Sequence, residues 1–173
     1  MAFIAGLPDN YNILSPVGYK LDISKLPSVS YFCQAANIPD VSLGTTLRAN
    51  PSRDYSEPGD QLELGTFDIT FLVDEDLNNY NEIFTWLKEL SGTLGPEAFS
   101  RLDAREFGQG SVTNIVLTIL TNSMNSNKIV SFSDCFPSQL GAVNFTSNID
   151  SIEPITCDAS FTYVDFTIST DLA

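Results

Sequence analysis

The densest acidic cluster in the sequence invites a test for calcium binding. Asp74, Asp76 and Asn78 match the first three oxygen-ligand positions of a calcium loop. The match then fails, because Asn79 stands where the sharp turn needs glycine and Thr85 stands where a bidentate glutamate is needed. The acidic run is therefore expected to precede a helix, with Asp76 as its cap near the positive end of the helix dipole. No metal site is expected.

Groups for covalent or acid–base catalysis are scarce. The sequence contains no histidine, the side chain that serves most often as a base near neutral pH. It also lacks a Ser-x-x-Lys or Gly-x-Ser-x-Gly arrangement that could activate a serine. The run Gly108-Gln109-Gly110 lacks the third glycine and the lysine of a phosphate-binding loop. We therefore expect no catalytic residue and no cofactor, and the chain is not predicted to be an enzyme.

Three cysteines, Cys33, Cys135 and Cys157, cannot all pair within one chain. Their wide spacing contains no C-x-x-C element for zinc binding or dithiol redox chemistry. Buried structural thiols are the expectation. A disulfide between subunits is the alternative.

The chain has 173 residues, of which 43% are hydrophobic, and a formal net charge of −14. This length and composition predict one folded domain spanning residues 1–173. Residues 1–53 carry four bases and three acids, whereas the rest carries nineteen acids and four bases. Tight nucleic-acid binding is not expected without a basic stripe. An acidic surface is compatible with letting DNA pass without sticking.

No export signal or membrane span is expected. The first residues lack a basic region, and no run approaches the roughly 20 apolar residues that a span requires.

Alternation of apolar and polar residues predicts mostly β-strands. Residues 19–23 and 29–35 alternate on either side of a short break that contains Pro27, which predicts a hairpin. Further strands are predicted over residues 41–48 and 67–73.

An extended loop is predicted over about residues 49–65, where prolines and glycines collect among polar residues. One amphipathic helix is predicted from Leu77 to near Gly92, with Trp86 packed against a sheet. Residues 91–110 are rich in turn formers, with one short helical turn expected over residues 97–103.

The last third returns to strands, predicted over residues 111–121, 128–135, 143–149 and 155–168. In the last of these, the apolar positions change from odd to even after Tyr163. A β-bulge or a passage from one packing environment to another produces such a change.

Several short motifs stand in a characteristic order: Tyr19-Lys-Leu-Asp-Ile, Tyr31-Phe-Cys-Gln-Ala, Ile38-Pro39, Pro58-Gly59-Asp60, Phe67-Asp-Ile-Thr-Phe-Leu-Val-Asp-Glu-Asp and the helix from Tyr80 to Leu87. Together they resemble the tail tube proteins of contractile-tailed, T-even-like bacteriophages. Type VI secretion tube proteins and the hub proteins that start a phage tube share that family's fold. The resemblance is clear over about residues 17–90 and rests on element pattern elsewhere.

The resemblance implies a mainly β fold, with two antiparallel sheets forming a β-barrel-like sandwich and one flanking α-helix. It implies six copies per ring and rings stacked into the inner tail tube, the conduit for DNA ejection. The implied partners are further copies of the chain, the tail sheath, and baseplate or tail-terminator proteins. The implied location is the virion, after assembly in the host cytoplasm.

The resemblance also implies that the long loop reaches an adjacent subunit or ring. The expected intersubunit contacts are Arg48, Arg53, Asp54, Tyr55, Glu57 and Asp60. The strand edge between Asn114 and Thr121 is expected to continue a sheet across the ring. We also hypothesise that part of the acidic excess lines the channel. The acids would then lie on the strand faces opposite the core, and Asp158 and Asp165 are the candidates.

Two other functions stay open at this point. A tube-end adaptor, such as a baseplate hub, tube initiator or tail terminator, would share the fold but form a single ring. A monomeric β-rich host-recognition module would form no ring.

Overall fold

The computed structural model describes residues 12–93, 110–147 and 154–170. Nine strands and two helices lie within these residues. In chain order they are β1 (Tyr19–Ile23), α1 (Pro27–Phe32), β2 (Cys33–Ala36), β3 (Val41–Arg48), β4 (Tyr55–Leu64), β5 (Phe67–Leu72), α2 (Asn78–Leu90), β6 (Thr113–Leu120), β7 (Ser126–Leu140), β8 (Thr156–Thr162) and β9 (Asp165–Thr170).

Seven of the strands form two antiparallel layers that share β7. We call the layer β1-β6-β7-β9 sheet I and the layer β7-β8-β5-β2 sheet II. The first part of β7 lies between β6 and β9, and the residues from Phe136 onward pair with β8. The layers form a sandwich and not a closed barrel. The predicted mainly β class with two antiparallel sheets is confirmed.

Aromatic side chains hold the two sheets together. Phe67 of sheet II packs against Phe132 of sheet I, with ring centroids 4.5 Å apart. Trp86 of α2 lies 6.3 Å from the ring of Phe161 on β8. All four side chains are at most 2% exposed. The prediction that Trp86 packs against a sheet is confirmed, and α2 is anchored through this contact.

The predicted amphipathic helix forms as α2, but its predicted cap is wrong. Leu77, and not Asp76, is the residue at the cap position, with φ of 56° and no side-chain hydrogen bond to the helix. The fully buried Asn79 stabilises the helix start instead, because its Nδ2 donates to the carbonyl oxygen of Leu72 at 2.7 Å. This bond ties the end of β5 to the first turn of α2.

The predicted hairpin over residues 19–35 is wrong, because a second helix, α1, lies between its two strands. β1 pairs with β6, and β2 pairs with β5. Proline favours the first helical turn because its φ is already fixed at a helical value, and Pro27 occupies that position. Val29 is fully buried whereas Tyr31 is 83% exposed, so the alternation in sequence reflects opposite sides of a short helix.

The predicted loop over residues 49–65 is mostly strand. Residues 55–64 form β4, which pairs with β3 and leaves residues 49–54 as the connection. Pro58 and Gly59 indicated a loop, but both lie at or next to an irregularity in the β3–β4 ladder. Such positions tolerate proline, because no regular ladder hydrogen bond is lost there.

The strands predicted over residues 111–121 and 128–135 are confirmed as β6 and β7, and β7 is longer than predicted. The strand predicted over residues 155–168 is divided at Tyr163 and Val164 into β8 and β9. Since β8 belongs to sheet II and β9 to sheet I, the change of apolar phase marks the passage from one sheet to the other.

The strand predicted over residues 143–149 is wrong for residues 143–147, which form no strand. Val143 packs on the core while Phe145 is 76% exposed, and no described strand pairs with this segment. Residues 148 and 149 lie outside the described part of the chain, as does the predicted helical turn over residues 97–103. Neither described helix is long and apolar enough to cross a membrane.

Candidate assembly interface

Strands β3 and β4 form a two-stranded ribbon, residues 41–64, that pairs with none of the other described strands. The ladder is irregular between Leu43 and Thr45. Gly59 is required there, because a Cβ atom at this position would lie 2.6 Å from the carbonyl oxygen of Gly44. The close approach of the two backbones therefore depends on glycine.

One face of the ribbon is apolar and exposed. Side chains alternate between the two faces of a strand, and the register places Leu43 opposite Leu62. Val41 and Leu47 share their side of β3. The exposed fractions are 71% for Leu47, 61% for Leu62, 51% for Leu43 and 49% for Val41. A contiguous exposed apolar face is typical of a binding surface.

The other face of the ribbon is polar and holds three of the six predicted contact residues. Arg48 Nη1 lies 3.0 Å from Glu57 Oε1 in an exposed ion pair, and Tyr55 is directly opposite Arg48. The remaining three lie on the connection or near the irregular part of β4: Arg53, Asp54 and Asp60.

The six predicted contact residues are five charged side chains and Tyr55, and none of them belongs to the apolar face of the ribbon. The signal was available, since Val41, Leu43 and Leu47 recur at odd positions in the strand predicted over residues 41–48. Their partner Leu62 was assigned to a loop, so the two halves of the face could not be combined.

Asn37 fixes the ribbon to sheet II. Its Oδ1 accepts a hydrogen bond from the backbone N–H of Asp68 at 2.8 Å. Its Nδ2 donates to Asp68 Oδ2 at 3.2 Å and to the carbonyl oxygen of Thr66 at 3.3 Å. One amide side chain therefore joins the segment that enters the ribbon to the segment that leaves it.

The prediction that the edge between Asn114 and Thr121 continues a sheet is wrong. Those residues belong largely to β6, which pairs with β1 on one side and with β7 on the other. Local alternation cannot reveal that β1, far away in sequence, covers this edge. Among the described strands, sheet I ends at β1 and at β9.

At every second residue of β1, the backbone N–H and C=O groups point away from β6. Ile23 N–H donates to Ser30 Oγ of α1 at 2.9 Å, away from β6. Backbone groups alternate in direction along a strand, so those of Tyr19 and Leu21 also point away from β6. They face a groove of about 730 Å³.

Apolar side chains line much of this groove. Val17 and Tyr31 are 72% and 83% exposed, and both line it. Tyr19 and Cys33 lie side by side deeper in the groove. Burial raises the pKa of Tyr19 to about 12, and burial also raises the pKa of the Cys33 thiol. Both groups are therefore neutral at physiological pH, and the charged side chains that line the groove are Lys20 and Asp22.

The three cysteines are free thiols. Cys135 and Cys157 are buried, as expected, and Cys33 is partly buried. Burial raises the pKa of Cys135 to about 11, which keeps that thiol protonated and unreactive near neutral pH.

The two acids expected to face a channel lie on different sheets. Asp158 lies on the face of sheet II opposite the core and accepts a hydrogen bond from Thr70 Oγ1 at 2.7 Å. Asp165 begins β9, opposite Ser133, on the outer face of sheet I. One sheet face cannot present both.

Structural comparison places this fold among parts of contractile injection machines. It is similar to a solved anti-feeding prophage cap, described as a tube-terminating cap, with a TM-score of 0.64 and 14% identity over 98% of this chain and 99% of that one. It is also similar to a sheath/tube terminator of the PVC extracellular contractile injection system, with a TM-score of 0.57 and 14% identity over 97% and 99%. A chain of the PVC sheath-tube complex gives a TM-score of 0.54 and 12% identity over 91% and 92%.

Sequence comparison identifies the family. No curated protein sequence matches the chain. A family model described as phage tail tube protein matches residues 7–169. Members of that family are structural, in agreement with the expectation that the chain is not an enzyme. Because the match covers nearly the whole sequence, the chain belongs to the phage tail tube protein family and has a structural role in a tube.

Proposed function

We propose that this protein assembles with copies of itself into hexameric rings that stack into the inner tail tube, the conduit for DNA ejection. The observation that carries the proposal is the ribbon β3–β4, which exposes four large apolar side chains on one face: Val41, Leu43, Leu47 and Leu62. The number six comes from the resemblance to contractile-tailed phage tubes. The ribbon supports self-assembly because it is a surface without a partner on its own chain among the described residues.

The ribbon has a physical reason to bind. A two-stranded hairpin alone is marginally stable in water, because half of its side chains gain nothing from burial. Docking the face of Leu43, Leu47 and Leu62 on another copy removes that apolar surface from water. Full burial of one such side chain stabilises by about 1.5–3 kcal/mol. Several leucines therefore provide a substantial part of a subunit contact.

Ring closure is assigned to the two ends of sheet I. The edge of β1 at Tyr19 and Leu21 faces a groove with exposed Val17 and Tyr31, while its Ile23 N–H is bonded to α1. Near the opposite edge, Val164 just before β9 and Ile168 on β9 are exposed. Pairing β9 of one copy with β1 of the next joins the sheets head to tail. Repeating one such contact around an axis closes a ring. This replaces β6 as the sheet-continuing strand.

A tube of this kind has the partners and the location that the resemblance implies. The tube would contact the tail sheath along its length, and baseplate or tail-terminator proteins at its ends. DNA passes without specific binding, and no membrane contact is part of the proposal. The assembled location is the virion, with assembly in the host cytoplasm.

Negative-stain electron microscopy of the purified protein tests the proposal. We expect hollow tubes with a regular axial repeat. The double variant Leu47→Ser and Leu62→Ser should lose tubes and elute as a smaller species, because its apolar face is interrupted. The matched control is Thr46→Ser with Glu63→Gln, on the polar face of the same strands, and it should form tubes normally.

The same images separate the two alternatives. Single rings that never lengthen would assign the chain to a tube end, as an initiator, hub or terminator of the same fold. A wild-type protein that stays monomeric at every concentration would contradict both ring models and favour a recognition module.

A further inference from the structure

The face of sheet I that points away from the core has an unusual chemistry. Because side chains alternate along each strand, the register identifies two complete rows that cross all four strands on this face. One row consists of Lys20, Thr118, Ile129 and Ser169. The other consists of Asp22, Val116, Ser131 and Thr167.

The two rows carry no net charge. Four of the eight side chains are hydroxyls and two are β-branched hydrocarbons. The single base, Lys20, and the single acid, Asp22, lie two residues apart on the same face of β1. A third, partial row adds Ser133 and Asp165 at one end, with Asp134 close by, because its N–H contacts Asn114 Oδ1 at 3.3 Å. The middle of the face is therefore neutral in a chain whose formal charge is −14.

The outer face of sheet II differs. Its central strands place Asp68 opposite Ser160 and Thr70 opposite Asp158, so this face carries two acids in adjacent rows and no base. The two middle rows of sheet I thus balance their one acid with a base, whereas the two acids on these strands of sheet II have no base beside them.

The position of sheet I in a ring follows from its packing, provided that the proposed function is correct. When copies join through β1 and β9, sheet I becomes a closed wall. Sheet II and α2 pack on the core side of that wall, and α1 buries Val29 in the same core while Ser30 contacts the edge of β1. These elements need space that only the outside of a ring offers. The opposite face, which carries the two neutral rows and on which no described helix or strand packs, then points to the axis.

We infer that the channel wall of the tube is a near-neutral, hydroxyl-rich surface formed by sheet I, suited to the passage of duplex DNA. Affinity of proteins for DNA comes mainly from bases that neutralise phosphates and release counterions. Lys20 is offset by Asp22, so the wall offers no row of bases that would hold a phosphate. Hydroxyls form weak, exchangeable hydrogen bonds, as water does. The wall avoids trapping DNA through neutrality and not through repulsion by a lining of acids.

In this arrangement, only one of the two acids expected to face the lumen lies at the channel. Asp165 lies at one end of the channel wall. Asp158 lies on the outer face of sheet II, away from the channel. The acidic excess outside sheet I becomes a property of the tube's outer regions and of its contacts with other proteins.

Cysteine labelling of assembled tubes tests which face lines the channel. Ser131→Cys and Asp158→Cys are each made with Cys33→Ser, which leaves only buried native thiols. As dissociated subunits, both variants should react with a bulky polyethylene glycol maleimide. In tubes, we expect Ser131→Cys to lose this labelling while a small maleimide still reaches it, and Asp158→Cys to keep it.

The outcomes distinguish the inference from the proposed function. Tubes in which Asp158→Cys is protected and Ser131→Cys is labelled would overturn the inference and leave the proposed function intact. Absence of tubes would overturn both. Retention of duplex DNA inside tubes provides a second measurement. Wild-type tubes should retain none at any salt concentration, and Ser131→Lys with Thr167→Lys should retain it at low salt only. Salt-sensitive retention by wild-type tubes would contradict a neutral wall.

Discussion

The two-sheet body buries its large apolar side chains, whereas the ribbon exposes them. In the body, Phe67 and Phe132 are at most 1% exposed and pack between two layers. In the ribbon, Leu47 and Leu62 are at least 61% exposed, although they alternate as regularly as any core residues. The aromatic core of the body is thus filled by side chains of one chain, whereas none of the described residues covers the apolar face of the ribbon. Alternation predicts that a strand has an apolar face, but not which molecule covers it.

The largest expected effect is in the body. Phe67→Ala removes a fully buried ring that contacts Phe132 and Phe161 from the other sheet and the neighbouring strand. We expect a loss of about 3–5 kcal/mol in the free energy of unfolding, because a cavity remains between the sheets. Urea denaturation followed by tryptophan fluorescence measures it.

The control for this variant is Leu47→Ala in the ribbon. Its free energy of unfolding as a dissociated subunit should change by less than about 0.5 kcal/mol, as for other exposed positions. If Leu47→Ala destabilised the subunit as much as Phe67→Ala, the distinction between the two regions would be lost.

An intermediate effect is expected at the junction of the two regions. Asn37→Ala removes three hydrogen bonds that hold the ribbon base to β5. We expect a loss of roughly 1–2 kcal/mol in subunit stability, since water replaces part of these bonds. Assembly should suffer more than stability, because the direction of the ribbon is no longer fixed.

Sedimentation of tubes, compared with the melting temperature of subunits, separates these two effects for Asn37→Ala. Asn122→Ala, an exposed asparagine in the turn before β7, serves as the control and should change neither. Normal tube yield from Asn37→Ala would show that the ribbon is positioned by other contacts.

The smallest effect is expected on the polar face of the ribbon. Arg48 and Glu57 form an ion pair, but their side chains are 65% and 43% exposed. A double-mutant cycle with Arg48→Ala and Glu57→Ala should give a coupling of about 0.2–1 kcal/mol in the subunit, decreasing with salt. A coupling in tubes well above that in subunits would show that assembly buries the pair.

The parts of the fold that local periodicity determines could be predicted. The alternation in residues 67–73 and the helical spacing from Leu77 both reflect a core that lies on one side of the element, and β5 and α2 form there. The change of phase at Tyr163 also corresponds to a real passage between sheets. In each case the information needed lies within a few residues.

The parts that depend on distant pairing could not be predicted. Nothing near residues 114–121 shows that β1 lies beside β6, so local alternation predicts a free edge where the strand is covered. Pro58 and Gly59 interrupt the alternation of residues 55–64 and predict a loop, although β3 provides a partner strand that tolerates them. Missing β4 also hid the apolar face, which is the main feature of the candidate interface.

The long-range pairing of the body has a consequence for the order of folding during synthesis. Tyr19 pairs with Ile119, and Phe67 pairs with Phe161, so both sheets remain unfinished until the last third of the chain has been made. The ribbon is a local hairpin, so its two strands can meet as soon as residues 41–64 leave the ribosome, although such a hairpin alone is only marginally stable. A growing chain therefore presents the apolar side chains of residues 41–64 to other chains before it has a folded body. Translation rate and the spacing of ribosomes on the message should thus affect how much protein reaches the native subunit.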